Sequence, residues 1–169
     1  MKNLRIVFML LFVLVPFVQS QAQVGLTVGT EYGIGGLARI GTERIIVEAG
    51  AGLAPLFVFV TGVDELEFYF PFTVGAKLSI AASKPESPNR FGVKFGVSYN
   101  GILKTGFGGG VDYEVSQNPS IVLAGGIMYF PDAKQGVTDH YFEDTGNAAA
   151  FEESLAIQPM LSISIIFGK

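Results

Sequence analysis

Between Arg90 and Asn100 the chain changes character at every step. Phe91, Val93, Phe95, Val97 and Tyr99 alternate with Arg90, Gly92, Lys94, Gly96, Ser98 and Asn100. A period of two belongs to a β-strand whose two faces meet different surroundings. The same rhythm recurs along the chain and predicts eight strands: Gln23–Tyr32, Leu37–Thr42, Arg44–Val60, Leu66–Ala81, Arg90–Asn100, Phe107–Ser116, Ser120–Phe130 and Ile157–Phe167. In each, bulky apolar residues hold one face. Glycine, serine, threonine and a few charges hold the other.

The first residues predict export. Lys2 and Arg5 precede an apolar run over Ile6–Val18, and Ser20-Gln21-Ala22 supplies small residues where a signal peptidase reads. The expected organisation is a signal peptide over 1–22 and one domain over 23–169. The run is too short for a good transmembrane helix, which needs about 20 apolar residues. The chain has no cysteine, so a lipid-modified cysteine, disulfides and thiolate metal sites are all excluded.

Composition decides which solvent the bulky face meets. Without Lys2 and Arg5 the chain carries nine basic residues against 15 acidic ones, a balance that argues against nucleic acid. Charged residues are only 15% and hydrophobic ones 49% of the whole, whereas a soluble surface usually carries roughly 25–35% charge. A soluble lipocalin-like barrel would turn its bulky face inward and its thinner polar face to water. Here that second face is mostly glycine, serine, threonine and alanine, which suits a cramped interior better. The pattern therefore predicts an all-β fold, a closed antiparallel up-and-down transmembrane barrel of eight strands in the outer membrane of a diderm bacterium.

Prolines and aromatics give an independent check. Proline cannot donate to a ladder and is pushed to rims and bulges; Pro55, Pro71 and Pro159 each fall about ten residues up a strand, near the far side of a membrane. Phe57, Phe68, Tyr99, Phe107 and Tyr129 fall near that rim, and Phe91, Tyr113 and Phe167 near the other, as two interfacial girdles would. On this pattern the chain resembles the small eight-stranded outer-membrane barrels, the class of the OmpA membrane domain and OmpX, over essentially all of 23–169. That resemblance implies outer-membrane lipid and the barrel-insertion machinery as partners. Such chains usually end in an aromatic residue, whereas here Gly168 and Lys169 follow Phe167.

Two sets of residues stand out as candidate sites. The inward positions collect Glu31, Arg39, Glu48, Glu67, Lys77, Arg90, Lys94, Asp112 and Glu114, with both signs in near balance. Buried charges must pair, and an eight-stranded interior is just wide enough for side chains to fill. The expectation is a plugged lumen, with a narrow pore or a conduit for small apolar solutes as the alternative. The second set is the acidic segment over 131–156, with Asp132, Asp139, His140, Glu143, Asp144, Glu152 and Glu153. It reads as an extracellular surface loop for a ligand or divalent cation, and Asn147 offers a cap for a short helix over 148–155. No serine lies beside His140, so a lipid-modifying enzyme is the weaker alternative. No cofactor is expected, and the glycine run over 107–111 lacks the residues of a phosphate loop.

Overall fold

The computed structural model describes residues 21–60, 65–84, 87–115, 119–146 and 153–168. Among the described residues ten strands form: β1 (Gln21–Gly29), β2 (Ile34–Gly41), β3 (Ile45–Leu53), β4 (Leu56–Val60), β5 (Glu65–Tyr69), β6 (Phe72–Ala81), β7 (Asn89–Asn100), β8 (Lys104–Val115), β9 (Ser120–Tyr129) and β10 (Ile157–Phe167). Eight of them close an antiparallel barrel in the order β1-β2-β3-β6-β7-β8-β9-β10, with β10 returning to β1. The remaining two, β4 and β5, pair only with each other. A helix, α1 (Ala133–Thr145), lies between β9 and β10, and a short 3-10 turn at Glu153–Ala156 precedes β10.

The closure is fixed by register. Moving around the wall through directly opposed residues, Val24 leads to Ala38, Ala49, Ala76, Val97, Phe107, Tyr129 and Ile157. Across the closing seam, however, Val24 faces Phe167, about ten residues further along β10. A stagger of that size around eight strands tilts each by about 40°. Every wall strand then has a partner on both sides, and the barrel leaves no free edge along its main body.

Alternation sorts the side chains as the sequence predicts. Phe91, Val93, Phe95, Val97 and Tyr99 point outward and are 42–55% exposed, while Arg90, Lys94, Ser98 and Asn100 are buried inside. Among the outward positions of the eight wall strands none is Asp, Glu, Lys or Arg. The outer wall is therefore uncharged throughout, and mostly apolar, with Asn89 and Thr105 as polar residues at the strand ends. Inside, Leu37, Val122 and Ile166 pack together near the end that holds both termini of the barrel.

Two departures from the sequence reading lie at the opposite end. The expected strands Arg44–Val60 and Leu66–Ala81 are each broken, at Ala54–Pro55 and at Phe70–Pro71, so their upper halves leave the wall as the β4–β5 hairpin. The prolines explain the breaks, because each removes an N–H from the point where the ladder would continue. The second departure is α1, which forms upstream of the expected helix; Asn147 and most of 148–155 lie outside the described residues. The helix ends at Gly146, whose left-handed backbone (φ 71°) carries an N–H that bonds the Phe142 carbonyl. Smaller differences concern β1, which begins at Gln21 and ends at Gly29, leaving Glu31 and Tyr32 in the turn.

Hairpin and helix together cover the end of the barrel. Leu56 and Val58 of β4, Ile102 and Leu103 of the β7–β8 turn, Met128 of β9 and Phe130 just after it, Ala133, Val137 and Tyr141 of α1, and Met160 of β10 form one buried cluster. Helix α1 lies so close to the β7–β8 turn that a Cβ on Gly136 would stand 1.9 Å from the Ile102 carbonyl oxygen. Glycine is what lets the helix seat there.

Candidate functional site: paired charges in the lumen

Eight of the nine predicted interior charges meet inside the barrel. Glu31, Arg39, Glu48, Lys77, Lys94, Asp112 and Glu114 are each no more than 5% exposed, and Arg90 is 9% exposed. Glu67 does not join them: it sits on β5 opposite Val58, in the hairpin rather than in the wall. With Glu67 removed, the interior holds four acids and four bases.

Six of the eight form one chain of contacts across the lumen. Lys94 Nζ lies 2.7 Å from Glu31 Oε1 and 2.8 Å from Glu48 Oε1. Lys77 pairs with the same Glu31 oxygen, and Ser162 donates a hydrogen bond to the other. Arg39 continues the chain, with Nε 3.5 Å from Glu48 Oε2 and Nη1 3.3 Å from Glu114 Oε2. Strands β2, β3, β6, β7 and β8 and the β1–β2 turn are thereby tied together through the interior. Since burial of an isolated charge is costly and pairing offsets it, the equal numbers are what allow these residues to stay inside.

A smaller group lies toward the chain-terminal end. Arg90 Nη1 donates to Asp112 Oδ2 at 3.0 Å and Nη2 to Ser79 Oγ at 2.6 Å, while Ser79 itself donates to Asp112 at 2.8 Å. Arg90 Nε reaches the Glu43 carbonyl of the β2–β3 turn at 3.3 Å. This group fastens a turn to the wall.

Tyr32 is an interior residue the sequence did not single out. Its ring is fully buried, with Lys77 Nζ 4.3 Å from the centroid. It rests where Gly50 and Gly75 leave space on β3 and β6, since a Cβ on Gly50 would come within 2.7 Å of the ring. The signal was indirect: glycines at inward positions of adjacent strands mark a place where something large must lie. Asn100 was also missed as a functional group. Its Oδ1 accepts the Ile102 and Leu103 N–H groups at 3.0 Å each and so shapes the β7–β8 turn.

The acidic segment is distributed differently. Asp132 precedes α1 and makes no side-chain cap bond; Asp139, His140, Glu143 and Asp144 lie on α1. His140 Nε2 is 3.5 Å from Asp144 Oδ2 and its ring stands edge-on to Tyr69 at 5.0 Å. That contact joins helix to hairpin. Burial, then the carboxylates of Glu67 and Asp144, hold the Tyr69 hydroxyl above its usual pKa. Glu152 lies outside the described residues, and Glu153 opens the 3-10 turn. Among the described residues, no three of these side chains converge as metal ligands would.

The fold and its interior define a class: a small, closed, antiparallel up-and-down β-barrel of eight strands with a charge-filled lumen and a capped end. Comparison with protein families, curated proteins and solved structures returns no match to this chain.

Proposed function

We propose that the protein is an integral outer-membrane β-barrel of the same general kind as the OmpA membrane domain and OmpX, non-enzymatic, with a structural or surface-interaction role. The observation that carries this reading is the outer wall, on which no outward-facing residue of the eight wall strands is charged. Water would penalise that surface, whereas hydrocarbon requires it: a charge at the bilayer midplane of such a barrel costs about 2–4 kcal/mol for Arg or Lys. A wall strand of ten residues tilted by about 40° rises about 25 Å, the height of the apolar band of outer-membrane barrels.

The paired interior supports a closed barrel rather than a pore. Ring by ring the lumen is occupied by side chains that hold one another: Arg90 with Asp112, Arg39 with Glu48 and Glu114, and Lys94 and Lys77 with Glu31 beneath Tyr32. The surface available for partners is then the cap, where α1 and the β4–β5 hairpin project. Cell fractionation with gel migration of boiled and unboiled samples tests the proposal. Recovery in the outer membrane with faster migration when unboiled is expected, and a soluble protein that migrates identically in both states would overturn it.

A further inference from the structure

Above the Glu31–Lys77–Lys94 cluster and below the cap lies a cavity of about 220 Å³. It is larger than the roughly 150 Å³ engineered cavity that accepts benzene. Leu56, Leu103, Met128, Phe130 and Met160 give it an apolar lining. Its polar lining groups are already engaged within the protein. Thr73 accepts from Asn100 Nδ2 at 3.0 Å, Ser98 donates to the Val74 carbonyl at 3.2 Å, and Gln158 donates to the Leu155 carbonyl at 2.8 Å. Asn100 Oδ1 is held by two backbone N–H groups, and Glu31 by two lysines and a serine. What remains for a guest is hydrocarbon contact.

The cavity reaches the surface sideways. The lining includes Phe57, 58% exposed, and Pro159, an outward residue of β10. At this place the wall is incomplete. β1 ends its pairing with β10 at Gly29–Ser162, so the four residues of β10 above Leu161 pair only with β9, and β4 pairs only with β5. Thr30 seals the lower edge of the gap: its Oγ1 donates to the Pro159 carbonyl at 2.7 Å and accepts from Leu161 N–H at 2.9 Å. Proline at position 159 suits a strand edge without a second ladder. The residues around the opening, Ile34, Leu53, Phe57, Ile157 and Leu161, are all exposed and apolar.

Height identifies the surroundings of this opening. Pro159 lies eight residues up β10 from Phe167, about 20 Å along the barrel axis at the strand tilt above. An apolar band of about 25 Å extends beyond that level. On the reading of the protein as a membrane barrel, on which this step rests, the mouth faces acyl chains and not water.

We infer that the cavity is a lateral binding site for one hydrocarbon chain of a bilayer lipid, admitted between β10 and the base of the β4–β5 hairpin. The Met128 and Met160 side chains, both lining the cavity and at most 5% exposed, provide direct reporters. The only other methionines, Met1 and Met9, fall in the segment expected to be removed on export. The exported protein, deuterated except for its methionine methyl groups, is placed in dimyristoylphosphatidylcholine bilayers, and nuclear Overhauser contacts from those methyls are recorded. Contacts from Met128 and Met160 to chain methylenes are expected. They should vanish with chain-deuterated lipid and weaken severalfold in Ser98→Phe or Ala54→Phe, either of which fills the cavity.

Contacts to water instead of methylenes, or methylene contacts unaffected in whichever filled variant still migrates as a folded barrel, would overturn the inference. With chain-deuterated lipid and added protonated fatty acid, contacts restored at trace amounts would make the free acid the occupant and overturn the assignment to bilayer lipid. Flotation of the same sample with the vesicles is scored separately: a protein that floats but shows no methylene contact loses the chain site and keeps the barrel, while one that does not float loses both.

Discussion

Tyr32 fills the space left by Gly50: the ring of a turn residue lies where the side chain of a wall residue would otherwise stand, 2.7 Å from an ideal Cβ. The pairing ties the β1–β2 turn to β3 and sets the ring against Lys77, whose Nζ is 4.3 Å from its centroid. Gly50→Val should therefore destabilise the barrel by about 1–3 kcal/mol, the usual cost of overpacking. Tyr32→Ala should cost about 3–5 kcal/mol through the void it leaves. In the double variant the two losses should add to less than their sum, because the smaller residue makes room for the larger. Urea titration of the refolded barrel, read by the fraction that migrates as folded, measures all three; strict additivity would remove the contact from the account.

Glu48 bridges Lys94 and Arg39; without it each keeps a single carboxylate partner, Glu31 and Glu114 respectively, and the four buried bases face three acids. Glu48→Ala should cost about 3–5 kcal/mol, as breaking a buried pair does. In the wild-type protein the pair should hold in 1 M salt, since buried charges are little screened. The same titration at low and high salt checks this, and a wild-type stability that falls steeply with salt would place these charges in water.

Conductance follows from the same network. Planar bilayers holding the wild-type protein should show no steady single-channel current, and Glu48→Ala or Lys94→Ala should introduce one. Steady current through the wild-type barrel would contradict a lumen closed by these charges.

The cap should come apart from the barrel. In Gly136→Ala the intrinsic helix gain of about 1 kcal/mol is opposed by a Cβ placed 1.9 Å from a backbone oxygen that cannot rotate away. The clash dominates, so α1 should lift from Ile102. Tryptic cleavage after Lys134 should quicken severalfold while heat-modifiable migration is retained; unchanged cleavage would show that the helix does not depend on this contact.

The wall was legible in the sequence because an inside and an outside of different polarity print a period of two on every strand. Eight of the nine charges assigned to the interior from that period do face it. Glu67 failed for a definable reason: Leu56–Val60 and Glu65–Tyr69 alternate too, since Leu56 and Val58 pack under the cap while Phe57, Phe59 and Phe68 stay exposed. Alternation reports a two-faced strand and not the sheet to which it belongs. Only Pro55 and Pro71 marked the change. Helix α1 buries Ala133, Gly136, Val137 and Tyr141, a helical spacing that a glycine among its contact positions disguises. Tyr32 was hidden because a turn residue that folds back into a barrel leaves no periodic trace.

The proposal that the outer wall faces the membrane is open to a single-thiol measurement, because the chain has no cysteine. Val97→Cys and Leu123→Cys place a thiol on outward positions of β7 and β9, and Asp139→Cys places one on α1. Intact cells are treated with a membrane-impermeant maleimide, and labelling is compared with that after denaturation. The wall thiols should stay unlabelled until the protein is unfolded, while the α1 thiol reacts at once. Equal labelling of all three in intact cells would mean that the apolar wall faces water and that the barrel is not in the membrane.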